Sequence, residues 1–151
     1  MARIGILGAG SWGTALAILL HDNGHDVTVW SIHEKEVEML NTTRRHESKL
    51  PGVEIPEGIL FTTDMKETMS DKDVCVLAVP SPFIRSTCQK MKAYVRAGQI
   101  IVNVAKGIEE STLYTLTDII EEEMPYADAC VLSGPSHAEE VSRGLPTTCV
   151  A

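Results

Sequence analysis

An α/β fold with a doubly wound, mainly parallel sheet and helices on both faces is predicted by three features of the chain. The first is a short apolar run, Arg3–Leu7, that feeds directly into Gly8-Ala9-Gly10-Ser11-Trp12-Gly13 and then into an apolar helical pattern. The second is a pair of almost continuous apolar runs, Val74–Val79 and Ile100–Val104, the pattern of parallel strands covered on both faces. The third is the alternation of strand-like and helix-like segments along the whole chain, with no linker, internal repeat or low-complexity tract. Residues 1–151 therefore read as one domain.

The elements follow in order. Arg3–Leu7 is the first strand. Ser11–Asn23 is a helix with Leu16, Leu19 and Leu20 on one face, stopped at Gly24, a residue suited to the position after a helix end. Asp26–Trp30 is the second strand and Glu34–Leu40 a short helix. Residues 44–63 carry Pro51, Gly52, Pro56 and Gly58 and read as a long irregular excursion that ends in a short strand at Leu60–Thr62. Asp64 caps a brief helix ending near Met69. The strand Val74–Val79 is closed by Pro80 and Pro82, and a helix runs from Phe83 to Val95. Gly98 precedes the strand Ile100–Val104, and a helix spans Leu113–Glu123. Ala129–Leu132 is a strand, a helix starts near His137, and Thr147–Ala151 begins a further strand. Right-handed crossovers bring the carboxyl ends of the strands to one edge, where such sheets bind ligands. The candidate loops are therefore 8–13, 31–33, 79–82, 103–107 and 133–138.

Composition narrows the function class. The chain has 151 residues, 44% apolar and 23% charged, enough for one domain with a real core. Its formal net charge of −8 argues against nonspecific nucleic-acid binding, which draws on basic surface. No apolar run approaches the length of a membrane span, and Met1-Ala2-Arg3 enters a strand without a secretory leader pattern. Cys75, Cys88, Cys130 and Cys149 form no C-x-x-C pair, and Cys75, Cys130 and Cys149 sit in strand-like apolar runs as small hydrophobes. Neither a disulfide framework nor a metal site is expected, and a reducing cytoplasm is the expected setting.

The chemistry-bearing residues lie on the ligand edge. Gly8 permits a tight turn, Gly10 leaves room for a pyrophosphate, and Gly13 lets the helix pack on the sheet. The N–H groups of Ser11 and Trp12 face the phosphates, since a helix N-terminus binds anions. The second strand ends Trp30-Ser31-Ile32-His33, with no Asp or Glu at its tip. Ser31 can donate to a 2′-phosphate and His33 can add charge when protonated, so the cofactor is NADP or NAD. Lys106, followed by Gly107, places an ammonium where it can hold a phosphate or polarise a carbonyl. Gly134 allows close approach, Pro135 fixes the helix entry, and Ser136 offers an N–H and a hydroxyl to a second anion. His137 is a weaker acid–base candidate.

Three motifs together, Gly8-Ala9-Gly10-Ser11-Trp12-Gly13-Thr14-Ala15, Asn103-Val104-Ala105-Lys106-Gly107-Ile108-Glu109 and Leu132-Ser133-Gly134-Pro135-Ser136-His137-Ala138, resemble the bacterial NAD(P)-dependent glycerol-3-phosphate dehydrogenases. The resemblance spans the chain. It implies a Rossmann-type domain and reversible hydride transfer between NAD(P)H and dihydroxyacetone phosphate, giving sn-glycerol 3-phosphate for phospholipid synthesis. It implies cofactor contacts at Ser11, Trp12, His33, Lys106 and Ala138, and substrate contacts at Lys106, Gly134 and Ser136. Relatives often carry Arg where this chain has Ile32-His33, which leaves NAD against NADP preference open. Family members continue into a helical second domain that carries the lysine serving as general acid and base. No residue here matches that lysine, so the chain alone is expected to be inactive. The full-length enzyme is open to homodimer formation. A related small-acid or ketone reductase and a non-catalytic NAD(P)-sensing module are the alternatives.

Overall fold

The computed structural model describes residues 1–151. Six strands form one parallel sheet: β1 (Arg3–Leu7), β2 (Asp26–Trp30), β5 (Leu60–Thr62), β6 (Val74–Leu77), β7 (Ile100–Asn103) and β8 (Asp128–Val131). Their spatial order is β5-β2-β1-β6-β7-β8. Counting only these six along the chain, that is the order 3-2-1-4-5-6 of a doubly wound dinucleotide-binding sheet. The strand order reverses between β1 and β6, which pair in register from Ile4↔Val74 to Leu7↔Leu77. Loops diverge there, and that divergence opens the ligand crevice.

Helices α1 (Ser11–Asp22), α2 (Glu34–Thr43), α3 (Met65–Met69), α4 (Ile84–Met91), α5 (Leu116–Glu123) and α6 (Ala138–Val141) cover the two faces. Two apolar clusters result. One joins Ile4, Ile6, Ala15, Leu16, Ile18, Val27 and Val29 on the α1 side. The other joins Leu7, Leu77, Ile84, Met91, Ile101, Ile119 and Ile120 on the α4–α5 side. No helix is long and apolar enough to cross a membrane.

Several expectations shift. The 44–63 segment is more ordered than its prolines and glycines suggested: β3 (Arg45–His46) and β4 (Leu50–Glu54) pair antiparallel, with a register break at Arg45/His46. Leu50, Ile55 and Ile59 from this segment join the α1-side core. The buried face of α1 is Ala15, Leu16 and Ile18, and Leu19 is 39% exposed. Helix α5 starts at Leu116, because Leu113 adopts φ +61° and Thr115 caps the helix in a reciprocal box with Asp118. The expected Phe83–Val95 helix is shorter: a 3₁₀ turn, Ser81–Phe83, leads into α4, which ends at Met91. Thr147–Ala151 is no strand; only Val150 bridges antiparallel to Ser133. Cys130 and Cys149 are exposed, whereas Cys75 and Cys88 are buried. Burial pushes the thiols of Cys75 and Cys88 up to about 12.

Candidate functional site

A cleft of about 840 Å³ opens at the carboxyl edge of the sheet, between the loops after β1 and β6. Cofactor and ligand sites typically occupy about 300–1,000 Å³. The wall after β1 is the glycine turn. Gly8 sits at φ +124°, and a Cβ there would lie 2.8 Å from the Ala78 carbonyl carbon. A Cβ on Gly13 would run into the Gly8 carbonyl oxygen, so this glycine lets α1 start against the strand end. Gly10 differs from both. It is the N-cap of α1 at φ −71° and ψ −178°, and a Cβ there meets nothing within 4 Å. No side chain caps α1, so the first N–H groups of the helix remain free at the cleft wall formed by Gly10, Ser11 and Trp12. Those residues fit a pyrophosphate: free donors, a positive dipole end and an open approach. Trp12 also packs against the α1-side core, so its ring joins core and cleft.

The opposite wall is built by the loops after β7 and β8. Asn103 is buried, accepts from Ala105 N–H at 3.2 Å and donates to the Ala105 carbonyl at 3.2 Å. This short turn throws Lys106 out at the strand end. Lys106 is exposed in the cleft, and its Nζ donates to the Gly134 carbonyl at 3.0 Å. The ammonium thus spans the two loops expected to meet substrate. Ser136 is buried beside it, and its N–H donates to the Gly134 carbonyl at 2.9 Å. Ser136, His137 and Ala138 all line the cleft, whereas Gly134 does not. A Cβ on Gly134 would come within 2.5 Å of the Thr148 carbonyl oxygen. Its lack of a side chain therefore serves backbone packing, and it offers Lys106 a carbonyl.

The strand-β2 end differs most from its sequence reading. Ser31, His33 and Ile32 line the cleft, with His33 exposed as the N-cap of α2. Ser31, however, is only 3% exposed, and its hydroxyl donates to Glu36 Oε2 at 2.5 Å. A carboxylate does reach the tip of β2, delivered from the first turn of α2. Lys49 Nζ donates to Glu36 Oε1 at 2.5 Å. His46 Nε2 lies 3.2 Å from both the Ala9 carbonyl and Glu36 Oε1. Both partners accept, so this ring nitrogen carries the hydrogen. Burial works to raise the Glu36 carboxyl, but the hydrogen bonds from Lys49 and Ser31 outweigh it and hold it below its ordinary value. Glu36, His46 and Lys49 were not singled out from sequence. The β3–β4 hairpin is what brings Lys49 to Glu36.

A second charged cluster braces the Lys106 loop from outside. Arg85 on α4 donates to both oxygens of Glu109, at 2.7 and 2.8 Å, and to Glu123 Oε1 at 3.0 Å. It also pairs with Glu122 at 2.8 Å. The forked guanidinium suits this bidentate contact. The hydrogen bonds from Arg85 hold the Glu109 carboxyl down to about 2.

Sheet order, glycine turn and crevice define a dinucleotide-binding domain of the doubly wound α/β class. Residues 3–151 match the family model described as NAD-dependent glycerol-3-phosphate dehydrogenase N-terminus, and the chain belongs to that family. It is 60% identical over 151 residues to a glycerol-3-phosphate dehydrogenase (NAD(P)+) of Agathobacter rectalis, covering 100% of this chain and 45% of that protein. It is 55% identical over 152 aligned residues to the Fusobacterium nucleatum protein of the same name, covering 99% of this chain and 45% of the relative. A crystal structure of glycerol-3-phosphate dehydrogenase from Coxiella burnetii superposes with a TM-score of 0.91 at 32% identity, over 98% of this chain and 45% of that one. The chain thus spans about half the length of the curated relatives it matches.

Proposed function

We propose that this chain is the NAD(P)-binding domain of an sn-glycerol-3-phosphate dehydrogenase, and that its whole enzyme interconverts dihydroxyacetone phosphate and sn-glycerol 3-phosphate. The observation that carries this reading is the convergence on one crevice of an uncapped helix N-terminus, an open Gly10 and the Lys106 ammonium. The bound nicotinamide cofactor supplies or accepts the hydride. The chain's own residues do the positioning. Ser11 and Trp12 donate backbone N–H groups to the pyrophosphate, with Gly8, Gly10 and Gly13 shaping the turn. Ser31 and His33 border the adenosine ribose, and Ala138 forms part of the wall that holds the cofactor. Lys106 binds the substrate and offsets negative charge that develops on its oxygen, with the Gly134 and Ser136 loop beside it. The proton-transfer lysine belongs to the helical domain outside residues 1–151. The same reading places the enzyme in the cytoplasm and leaves room for a homodimer of its full-length form.

Calorimetric titration of the chain with NADPH and NADH tests the first part. Saturable one-site binding is expected. Absence of binding by either nucleotide removes the reading.

A further inference from the structure

The tip of β2 carries a charge arrangement that the family resemblance does not supply. In doubly wound nucleotide-binding sheets an acidic residue about 20 positions beyond the glycines accepts from the ribose 2′-hydroxyl. Such a carboxylate repels a 2′-phosphate. Here Glu36, 23 residues past Gly13, reaches the strand tip through Ser31 Oγ and lines the cleft beside Ser31 and His33. Its charge is met by Lys49, which arrives from the β3–β4 hairpin and also lines the cleft. The two partners are held unequally. The Glu36 side chain is 13% exposed and is anchored by Ser31 and His46, whereas the Lys49 side chain is 43% exposed, with Glu36 as its partner. The carboxylate is therefore the more firmly held partner, and the ammonium, tied only to Glu36, is the one that can be drawn away.

We propose that the Glu36–Lys49 ion pair selects between the two nucleotides: Glu36 reads the 2′-hydroxyl of NAD, and Lys49 leaves it to hold the 2′-phosphate of NADP. This rests on the dinucleotide reading of the cleft. A fixed carboxylate alone makes a site for NAD, and a cation alone makes one for NADP. A fixed acid with a mobile counter-ion accepts both, because the ammonium lies between carboxylate and phosphate in one complex and stays on the carboxylate in the other. His33, exposed at the same edge, adds no carboxylate that would oppose the phosphate.

The test is calorimetry on the 151-residue chain with NADPH and NADH, repeated with 2′,5′-ADP and 5′-ADP so that the 2′ substituent is read without the nicotinamide. A charge-assisted hydrogen bond gained or lost shifts affinity by about tenfold or more. The NADPH-to-NADH affinity ratio is expected to fall about tenfold in Lys49→Met and to rise about tenfold in Glu36→Gln, with the two ADP probes following. Lys49→Arg, which keeps the cation, retains the wild-type ratio. A merely structural pair would weaken both nucleotides together in both variants. Ratios that stay within about twofold of wild type, or that move the same way in both variants, overturn the selector and leave the dinucleotide site standing. Failure of the unaltered chain to bind any of the four nucleotides overturns the dinucleotide reading, and the selector with it.

Discussion

Two glycines of one turn do different work, and exchanging each for alanine separates folding from binding. Gly10 sits at φ −71°, an ordinary value for any residue, with no atom within 4 Å of an added Cβ. Gly10→Ala gains about 0.4–1 kcal/mol from a less flexible unfolded chain and loses about as much because alanine is a poorer N-cap than glycine. Its stability should stay within about 1 kcal/mol of wild type. On the proposed reading, the added methyl stands where the pyrophosphate would approach the free N–H groups of α1. Loss of one charge-assisted hydrogen bond costs about 1.5–3 kcal/mol, so Kd for NADPH should rise roughly 10- to 150-fold. Gly13→Ala instead drives its methyl into the Gly8 carbonyl oxygen, with Ala78 Cβ 3.3 Å away. Overpacking of this kind costs about 1–3 kcal/mol, which lowers Tm by roughly 2–12 °C for a domain of this size. Differential scanning calorimetry and titration with NADPH, run on both variants, read the two effects. Wild-type NADPH affinity in Gly10→Ala, or an equal loss of Tm in both variants, would refute this division of labour.

Other outcomes can be checked on the same material. Leu50→Ala and Ile59→Ala should each cost about 2–5 kcal/mol in urea unfolding, because both side chains are buried in the α1-side core; a loop residue would cost under about 0.5 kcal/mol. Arg85→Met should destabilise the protein at neutral pH. Glu109, Glu123 and Glu36 all have carboxyls lowered in the folded state, so their stabilisation is present above their unfolded values and is lost as pH falls. For Glu109 that window runs from 4.5 to about 2, and the gap between wild type and Arg85→Met should close across it. The 151-residue chain should not oxidise NADPH with dihydroxyacetone phosphate at an enzymatic rate; robust turnover would place the acid–base group inside it, His137 first. In the whole enzyme, Lys106→Ala should lower kcat/KM by about 10²–10³ while Tm changes little, since the side chain is exposed.

The sheet was legible because its signals are local. Continuous apolar runs mark β6 and β7, a glycine turn joins β1 to α1, and Gly24 at φ +81° follows α1 as its sequence position suggested. The β3–β4 hairpin was not legible, because Pro51, Gly52 and the register break at Arg45/His46 erase any period of two. Leu50, Ile55 and Ile59 are buried at a spacing that matches neither helix nor strand. The start of α5 was obscured by Leu113, an apolar residue at the foot of a helical pattern that takes a left-handed conformation. At the site, Lys106 and the glycine turn were visible because strand ends announce the ligand edge. The Glu36–Lys49 pair was invisible, since it depends on a contact between residues 13 apart across a turn the sequence does not spell out.

The central position of β1 has a consequence for synthesis. Its Leu7 pairs with Trp30 on one side and with Leu77 on the other. The second partner lies 70 residues downstream, so at about 5–20 residues per second it leaves the ribosome roughly 4–14 s after the first strand. During that interval one edge of the future sheet centre is unpaired and apolar, an invitation to wrong partners. Gly8 packs against Ala78, whose N–H donates to the Leu7 carbonyl at 2.9 Å. The motif written in the first 13 residues therefore becomes a binding site only when the middle of the chain arrives to close it.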